Sequence, residues 1–221
     1  MNAFEAPLVS EAILLLDEFN YRTRNELASA IGLVSFASAT SSLDEARIIL
    51  RRVHLRLENY TRLQHTLRYP RHSGCVDAAA QLRQLCVAIR RSRLEGTDIE
   101  LVCDARPVFL LAARSWRLSV IASELIGNAC RHAFSGGAGT IRVDLASRDG
   151  RVECRIMDDG YGSNSLARGR GLAVIAVMLK GLEGALQYDS DQHGTLWIID
   201  FPLEPQRAPG AGVIQLPASE S

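Results

Sequence analysis

Residues 123–134 read SELIGNACRHAF, a segment of this sequence with polar side chains at helical spacing beside apolar ones. Glu124 and Asn128 are four residues apart, and Arg131 and His132 follow Asn128 at distances of three and four. These spacings place all four side chains on one face of a helix. A carboxylate, an amide oxygen and cationic groups on one face suit a hydrated magnesium ion with phosphates beside it. Taken alone, four polar residues also fit a solvated helix face.

Three glycine-containing segments follow in the second half of the chain. Residues 158–162 (DDGYG) come directly after a predicted strand, residues 169–172 (GRGL) open a predicted helix, and Gly194-Thr195 leads into the last predicted strand. Glycine lets a backbone approach a ligand closely, and free N–H groups at a helix start suit phosphates. The carboxylate of Asp158 can accept the amino group of a purine. Each segment alone is more often a turn than a nucleotide site.

The pattern of apolar residues after residue 75 predicts strands and helices in runs rather than in strict alternation. Such runs favour an α+β sandwich. The predicted helices cover residues 76–92, 115–133 and 172–182, and the predicted strands cover residues 99–103, 140–145, 152–157, 185–188 and 195–202. A turn at residues 148–150 (RDG) joins the second strand to the third.

Two long amphipathic helices are predicted before this region, from residue 10 to 37 and from Ser42 to Tyr69-Pro70. Ser42 and Glu45 have the spacing of a capping box, and Pro70 ends the second helix. One hairpin has too narrow an apolar stripe to stand alone, which predicts a dimeric four-helix bundle. The two apolar seams are Ile13, Leu16, Asn20, Thr23, Leu27, Ala30, Val34 and Ala37, and then Leu43, Ala46, Leu50, Val53, Leu57, Tyr60, Gln64 and Leu67.

The overall composition argues against several classes of protein. Lys plus Arg equals Asp plus Glu at 25 each, whereas proteins that bind nucleic acid through its phosphates usually carry a basic excess. The arginines of residues 47–93 are interpreted as a solvated helix face. No signal peptide and no apolar run long enough for a bilayer is present, which predicts a cytoplasmic protein without membrane insertion.

Together, in this order and spacing, the segments after residue 76 resemble the N, G1, G2 and G3 boxes of the ATPase fold shared by histidine kinases, gyrase and MutL. The resemblance implies that Asn128 holds Mg²⁺ and that Asp158 reads the adenine of ATP. It implies that Glu124 is catalytic if the protein is active and lies near the metal, and that Thr195 supports the adenine end. The remaining residues implied to contact or shape the nucleotide site are Arg131, His132, Gly160, Gly162, Gly169 and Gly171.

Residues 18–27 (EFNYRTRNEL) resemble the H-box of the HWE-type and related bacterial histidine kinases, typically E-L-[NH]-H-R-V-K-N-x-L. Glu18, Arg22, Asn25 and Leu27 match that pattern. Tyr21 stands where the family has its phosphorylated histidine. No phosphoramidate can form on a phenol, and a tyrosine phosphate ester would be foreign to the family. The resemblance further implies that residues 163–168 form the ATP lid, which would be shorter than the family usually has.

These resemblances imply a helical dimerisation and phosphotransfer-like domain over residues 1–70 and an ATP-binding domain over residues 71–203. The last segment, residues 204–221, is rich in Pro, Ala, Gly and Ser, which predicts a disordered tail. The function that the resemblances favour is a degenerate histidine-kinase-like protein that binds ATP or ADP with magnesium. Its partners would be a second copy and either a response-regulator receiver domain or a partner kinase. The alternatives are an active kinase that uses His54, His65 or Tyr21 as acceptor, and a phosphotransferase-like scaffold that binds no nucleotide.

Overall fold

The computed structural model describes residues 5–161 and 170–203, apart from the side chains of residues 5–15, 18 and 170. It begins with an antiparallel helical hairpin formed by α1 (Glu5–Ala39) and α2 (Leu43–Thr66). Ser42 caps α2 by accepting a hydrogen bond from the backbone N–H of Glu45 at 3.3 Å. The Glu45 carboxylate accepts from the Thr40 hydroxyl at 2.6 Å, so the predicted capping box is only half formed.

The predicted seams of the hairpin separate into two faces. Ala30, Ala37 and Val53 are buried. Leu27 and Leu50, however, are 49% and 48% exposed. Three more residues of the seams are exposed as well: Leu16, Val34 and Leu43. Two helices bury only the stripe along their mutual contact, and the neighbouring stripe stays uncovered in a single chain. The side chain of Ile13 lies outside the described residues, and the dimeric bundle stays a prediction.

Residues 75–161 and 170–203 of the described chain form an α/β sandwich. Its five-stranded sheet has the order β2-β4-β5-β7-β6, with β2 parallel to β4 and the other neighbours antiparallel. The elements are β1 (Cys75–Asp77), α3 (Ala78–Ile89), β2 (Ile99–Ala105), β3 (Phe109–Leu111), α4 (Ala112–His132), β4 (Gly139–Arg148), β5 (Arg151–Asp158), α5 (Arg170–Lys180), β6 (Ala185–Asp191) and β7 (Gly194–Pro202). The predicted fold class, a helical hairpin followed by an α/β sandwich, is confirmed.

Alternating residues of the sheet face the helices and form the core. On β4 and β5 the buried residues are Ile141, Val143, Val152 and Ile156, whereas Arg155 points to solvent. This alternation is typical of a sheet covered on one face. At the predicted turn between these strands, Asp149 and Gly150 have φ angles of 51° and 74°, as a type I′ hairpin requires.

Two short strands and one helical irregularity were not predicted from the sequence. Val76 belongs to β1, which pairs with β3, and not to the first helix of the sandwich. Three-residue strands that run directly into helices have no room to show a period of two. At its other end, α3 continues into a π-helical turn, Arg90–Leu94, where the sequence predicts regular helix.

The hairpin packs onto the sandwich, with α2 against α3 and α1 against α5. Leu63 of α2 is 2% exposed and belongs to the same hydrophobic core as the sheet. The indole N–H of Trp116 donates to the carbonyl oxygen of Leu67 at 2.9 Å. These contacts hold the hairpin against the helices of the sandwich. No helix in the described ranges combines the length and apolar character that crossing a bilayer requires.

Candidate functional site between the hairpin and the sandwich

A cavity of about 1790 Å³ lies between the hairpin and the sandwich. Its walls include residues from α1, α2, α4, the start of α5 and the adjacent strands β6 and β7. Every predicted site residue on α4 lines it, as do Asp158, Gly171 and Thr195. The structure therefore brings together the segments that the sequence offered separately. Gly162, Gly169 and residues 163–168 of the predicted lid lie outside the described residues.

Helix α4 presents its polar face to this cavity, as its spacing predicts. Glu124 is 3% exposed, Asn128 is half-buried, and Arg131 and His132 at the end of the helix are exposed. The side-chain oxygen of Asn128 accepts a hydrogen bond from Nη2 of Arg131 at 2.6 Å. Gly171, at the start of α5, faces Glu124 so closely that a Cβ on it would lie 2.8 Å from Oε2 of Glu124.

Asp158 ends strand β5 at the same cavity and pairs in register with Thr195 of β7. Its Oδ1 accepts from the backbone N–H of Gly160 at 3.2 Å. Burial raises the pKa of this carboxyl, and hydrogen bonds from Gly160 and Thr195 oppose that shift. Gly160 itself lies against the carbonyl of Ala133, where a Cβ would clash. A glycine is thus required for the chain to turn at the end of β5.

An aromatic pair that the sequence did not single out stands beside Asp158. The rings of Tyr188 and Trp197, on β6 and β7, lie with centroids 4.4 Å apart and also line the cavity. Flat apolar rings next to a carboxylate suit a purine, which needs both a stacking surface and an acceptor for its amino group. The sequence did not indicate that Tyr188 and Trp197 line a cavity, because aromatic residues in strands usually belong to the hydrophobic core.

The hairpin supplies the opposite wall. Tyr21 and Arg22 of α1 line the cavity, and the Arg22 guanidinium forms an ion pair with the buried carboxylate of Glu124. Arg56 of α2 pairs with Glu26 in the same wall. Tyr21, at the position of the missing histidine, is thus on the same cavity as Glu124. His54 and His65 are exposed on α2 and are not among the described residues that line the cavity.

Arg93 is a further cavity residue that sequence reasoning missed. It projects from the π-helical turn over Gly127 of α4, where a Cβ would collide with its Nη1. That Nη1 is buried and has no hydrogen-bond partner among the described residues. Burial, together with the nearby guanidiniums of Arg22 and Arg131, lowers the pKa of Arg93 to about 10. Gly127 was the available signal, since a glycine inside a helix often marks a close approach.

The oxygens of Glu124 and Asn128 are of the kind that magnesium binds. Here, however, the guanidinium of Arg22 contacts Glu124 and that of Arg131 contacts Asn128. These two guanidiniums, with that of Arg93 close to them, repel a divalent cation. The described arrangement therefore does not suit magnesium. Within residues 5–161 and 170–203, no group of three or more histidine, cysteine or acidic side chains is placed to hold a metal ion.

The profile of the histidine kinase-like ATPase domain matches residues 76–199, which is more than half of the chain. The chain belongs to this family. The match starts within β1 and ends near the end of β7, so the histidine kinase-like ATPase domain here includes Glu124, Asn128, Asp158 and Thr195. No curated protein matches the sequence.

Solved structures share the fold of the hairpin and the ATPase domain together. The histidine kinase domain of the blue-light activated histidine kinase EL346 from Erythrobacter litoralis aligns with a TM-score of 0.57 and 20% identity, over 79% of this chain and 94% of that one. A longer structure of the same kinase aligns with a TM-score of 0.55 and 22% identity, over 87% of this chain and 60% of that chain. A bacterial phosphotransferase aligns with a TM-score of 0.65 and 11% identity, over 90% of this chain and 97% of that chain. At these identities the similarity is one of fold.

Proposed function

We propose that this chain is a degenerate histidine-kinase-like protein of bacterial two-component signalling, of the HWE type. It binds ATP or ADP in the cavity between hairpin and ATPase domain and does not phosphorylate itself on a histidine of the H-box. The observation that carries the proposal is the shared cavity. Asp158 and the aromatic pair Tyr188–Trp197 line it, and so does Glu124 with the arginines beside it.

These two groups match the two ends of a nucleotide. A purine stacks on aromatic rings and donates its amino group to a carboxylate, so we assign the adenine to Asp158 and Thr195. Phosphates bind to guanidiniums and to free N–H groups at a helix start, so we assign them to Arg131, His132, Gly160 and the start of α5 at Gly171. Gly162 and Gly169 keep their expected roles as part of the proposal.

The position of Tyr21 supports the loss of the standard reaction. It lines the cavity, as a phospho-acceptor must, but a phenol cannot form a phosphoramidate. The neighbouring Arg22 neutralises the carboxylate of Glu124, which a general base must keep available. Because Tyr21 is half-exposed on the cavity, an active kinase that transfers phosphate to this tyrosine is the second candidate. Exposed His54 and His65 lack that placement.

We further propose that residues 1–70 dimerise and dock a response-regulator receiver domain or a partner kinase in the cytoplasm, and that residues 71–203 form the nucleotide-binding unit. The exposed apolar stripes of α1 and α2 support dimerisation, because a second hairpin would cover them. The predicted tail, residues 204–221, lies outside the described residues. On this view the nucleotide regulates docking and is not a phosphate source.

Titration of the purified protein with a fluorescent ATP analogue, and with ATP and ADP as competitors, tests the proposal. We expect Asp158→Asn to weaken ATP and ADP alike, by roughly 10-fold or more, because both contain the adenine and a hydrogen bond to a charged group is lost. Asp159→Asn, one residue along, is the matched control and should leave both affinities unchanged. Failure of wild type to bind either nucleotide would favour the scaffold alternative.

A further inference from the structure

Three guanidiniums from different parts of the chain meet over one face of α4. Arg22 comes from the hairpin and pairs with Glu124. Arg93 comes from the π-helical turn, and Arg131 belongs to α4 itself and bonds to Asn128. A Cβ built on Gly127 would touch Nη1 of Arg93 and would lie 3.4 Å from Nη1 of Arg131, so both guanidiniums lie over this glycine. Gly127 makes room for them.

One donor of this cluster, Nη1 of Arg93, is buried without a hydrogen-bond partner among the described residues. Among the described residues, Glu124 pairs with Arg22, and Glu26, which pairs with Arg56, also attracts Arg93 through its charge. A buried Nη1 of Arg93 without an acceptor is costly, because a desolvated donor loses its hydrogen bonds to water. The low pKa of Arg93 has the same origin. An anionic ligand would relieve both costs.

We propose that Arg22, Arg93 and Arg131 form an anion site that binds the terminal phosphates of the nucleotide directly, in place of a magnesium ion. This inference rests on the proposed function for the identity of the ligand. A guanidinium offers two parallel N–H donors to a phosphate, and three of them supply the positive charge that the metal would otherwise provide. Nucleotide binding then requires no divalent cation.

The origin of Arg22 gives the site a second property. Since Arg22 belongs to α1 while Arg93 and Arg131 belong to the sandwich, a bound triphosphate connects the two parts of the chain. A nucleoside monophosphate reaches the adenine end only. The site therefore discriminates ATP from AMP by the phosphates, and it does so through a residue of the segment that resembles an H-box.

Calorimetric titration of the full chain in EDTA with ATP, AMP and inorganic tripolyphosphate tests this site. We expect wild type to bind ATP at least about 10-fold more tightly than AMP. Arg93→Gln and Arg22→Gln should each weaken ATP and tripolyphosphate by roughly 10-fold to 100-fold and leave AMP unchanged. The control variants are Arg90→Gln, in the same turn as Arg93, and Arg24→Gln, two residues after Arg22. Both positions are exposed and lie outside the cavity lining, so both variants should behave as wild type.

Thermal unfolding separates this role from a structural one. Arg93→Gln removes a buried charge and should leave the melting temperature of the ligand-free protein unchanged or higher, while the stabilisation by tripolyphosphate is lost. A lower melting temperature without any change in the ATP-to-AMP ratio would overturn the inference. Tighter ATP binding by Arg22→Gln would also overturn it, since Arg22 would then block the site.

The outcomes also distinguish this inference from the proposed function. If ATP and AMP both bind but neither arginine variant changes their ratio, the three-arginine site is wrong and the nucleotide function stands. If tripolyphosphate binds in an Arg93-dependent way, but ATP and AMP bind no more tightly than tripolyphosphate does, the anion site stands and adenine recognition is wrong. If none of the three ligands binds, both are wrong.

Discussion

Arg22 on α1 forms an ion pair with Glu124 on α4, although 102 positions separate them in the chain. Their side chains are only 18% and 4% exposed. An ion pair this well shielded holds both partners strongly, because removing one partner leaves a buried charge unpaired. Arg22, which follows the expected phospho-acceptor position, thereby pairs with the Glu124 carboxylate that would otherwise serve as the general base.

Restoring the acceptor tests whether Tyr21 alone accounts for the loss of kinase chemistry. After incubation with labelled ATP, with and without magnesium, we expect no acid-labile phosphate on wild type or on the control Tyr21→Phe. Label on Tyr21→His alone would show that the ATPase domain still transfers phosphate. Label on neither would place a second defect at Glu124, and Tyr21→His combined with Arg22→Gln tests that. Acid-labile label on wild type would contradict the pseudo-enzyme reading and direct attention to His54 and His65.

Magnesium dependence should appear when Arg22 is neutralised. We expect ATP affinity of wild type to change less than about 3-fold on adding magnesium, because guanidiniums contact Glu124 and Asn128. In Arg22→Gln the carboxylate is released, and magnesium should strengthen ATP binding by about 10-fold. Asn128→Ala in that background should abolish this gain, as expected for the residue that the resemblance assigns to the metal. A strong magnesium effect in wild type would contradict the prediction.

The raised pKa of Asp158 fixes the sign of a stability change. A carboxyl whose pKa is raised in the folded state is easier to protonate there, so its contribution to stability is greatest at acid pH and is lost as pH rises through the folded-state pKa. Asp158→Asn should therefore melt at the same temperature as wild type, or higher, at pH 7. The difference should shrink near pH 4. A lower melting temperature at pH 7 would show that the carboxylate is structural.

Two leucine positions on α2 test dimerisation, and a third tests the packing of the hairpin on the sandwich. Leu50→Glu with Leu57→Glu should yield monomers in light scattering at micromolar concentration, since roughly 25 cal/mol is lost per Å² of apolar area kept from burial. Ile48→Glu with Leu55→Glu changes exposed residues on a different face and should leave the dimer intact. A monomeric wild type would contradict the bundle.

The third position is Leu63, which joins the core of the sandwich from α2. Leu63→Ala should lower the free energy of unfolding by about 2–5 kcal/mol, because it removes a fully buried side chain. Ile48→Ala, at a position of the same helix that is 55% exposed and outside the cavity lining, should change it by less than about 0.5 kcal/mol. Equal effects would mean that the hairpin does not pack on the sandwich as described.

The sequence by itself determined the local features of this protein. A spacing of three and four predicted that Glu124, Asn128 and Arg131 share one helix face. A strand followed by glycines predicted that Asp158 lies at the end of that strand. These depend on the periods of helix and strand, which neighbouring residues set. Hence the fold class, the hairpin and the set of cavity residues on α4 and β5 could be predicted.

Only the tertiary structure decided which of these groups meet. Nothing near Arg22 in the chain indicates that it pairs with Glu124, and the position of Arg93 over Gly127 depends on a π-helical turn that interrupts the regular period. The division of the seams into a buried stripe at Ala30 and an exposed one at Leu27 likewise depends on how closely two helices approach. Contacts between distant segments are set by the packing of whole elements, which the local periodicity of a sequence does not encode.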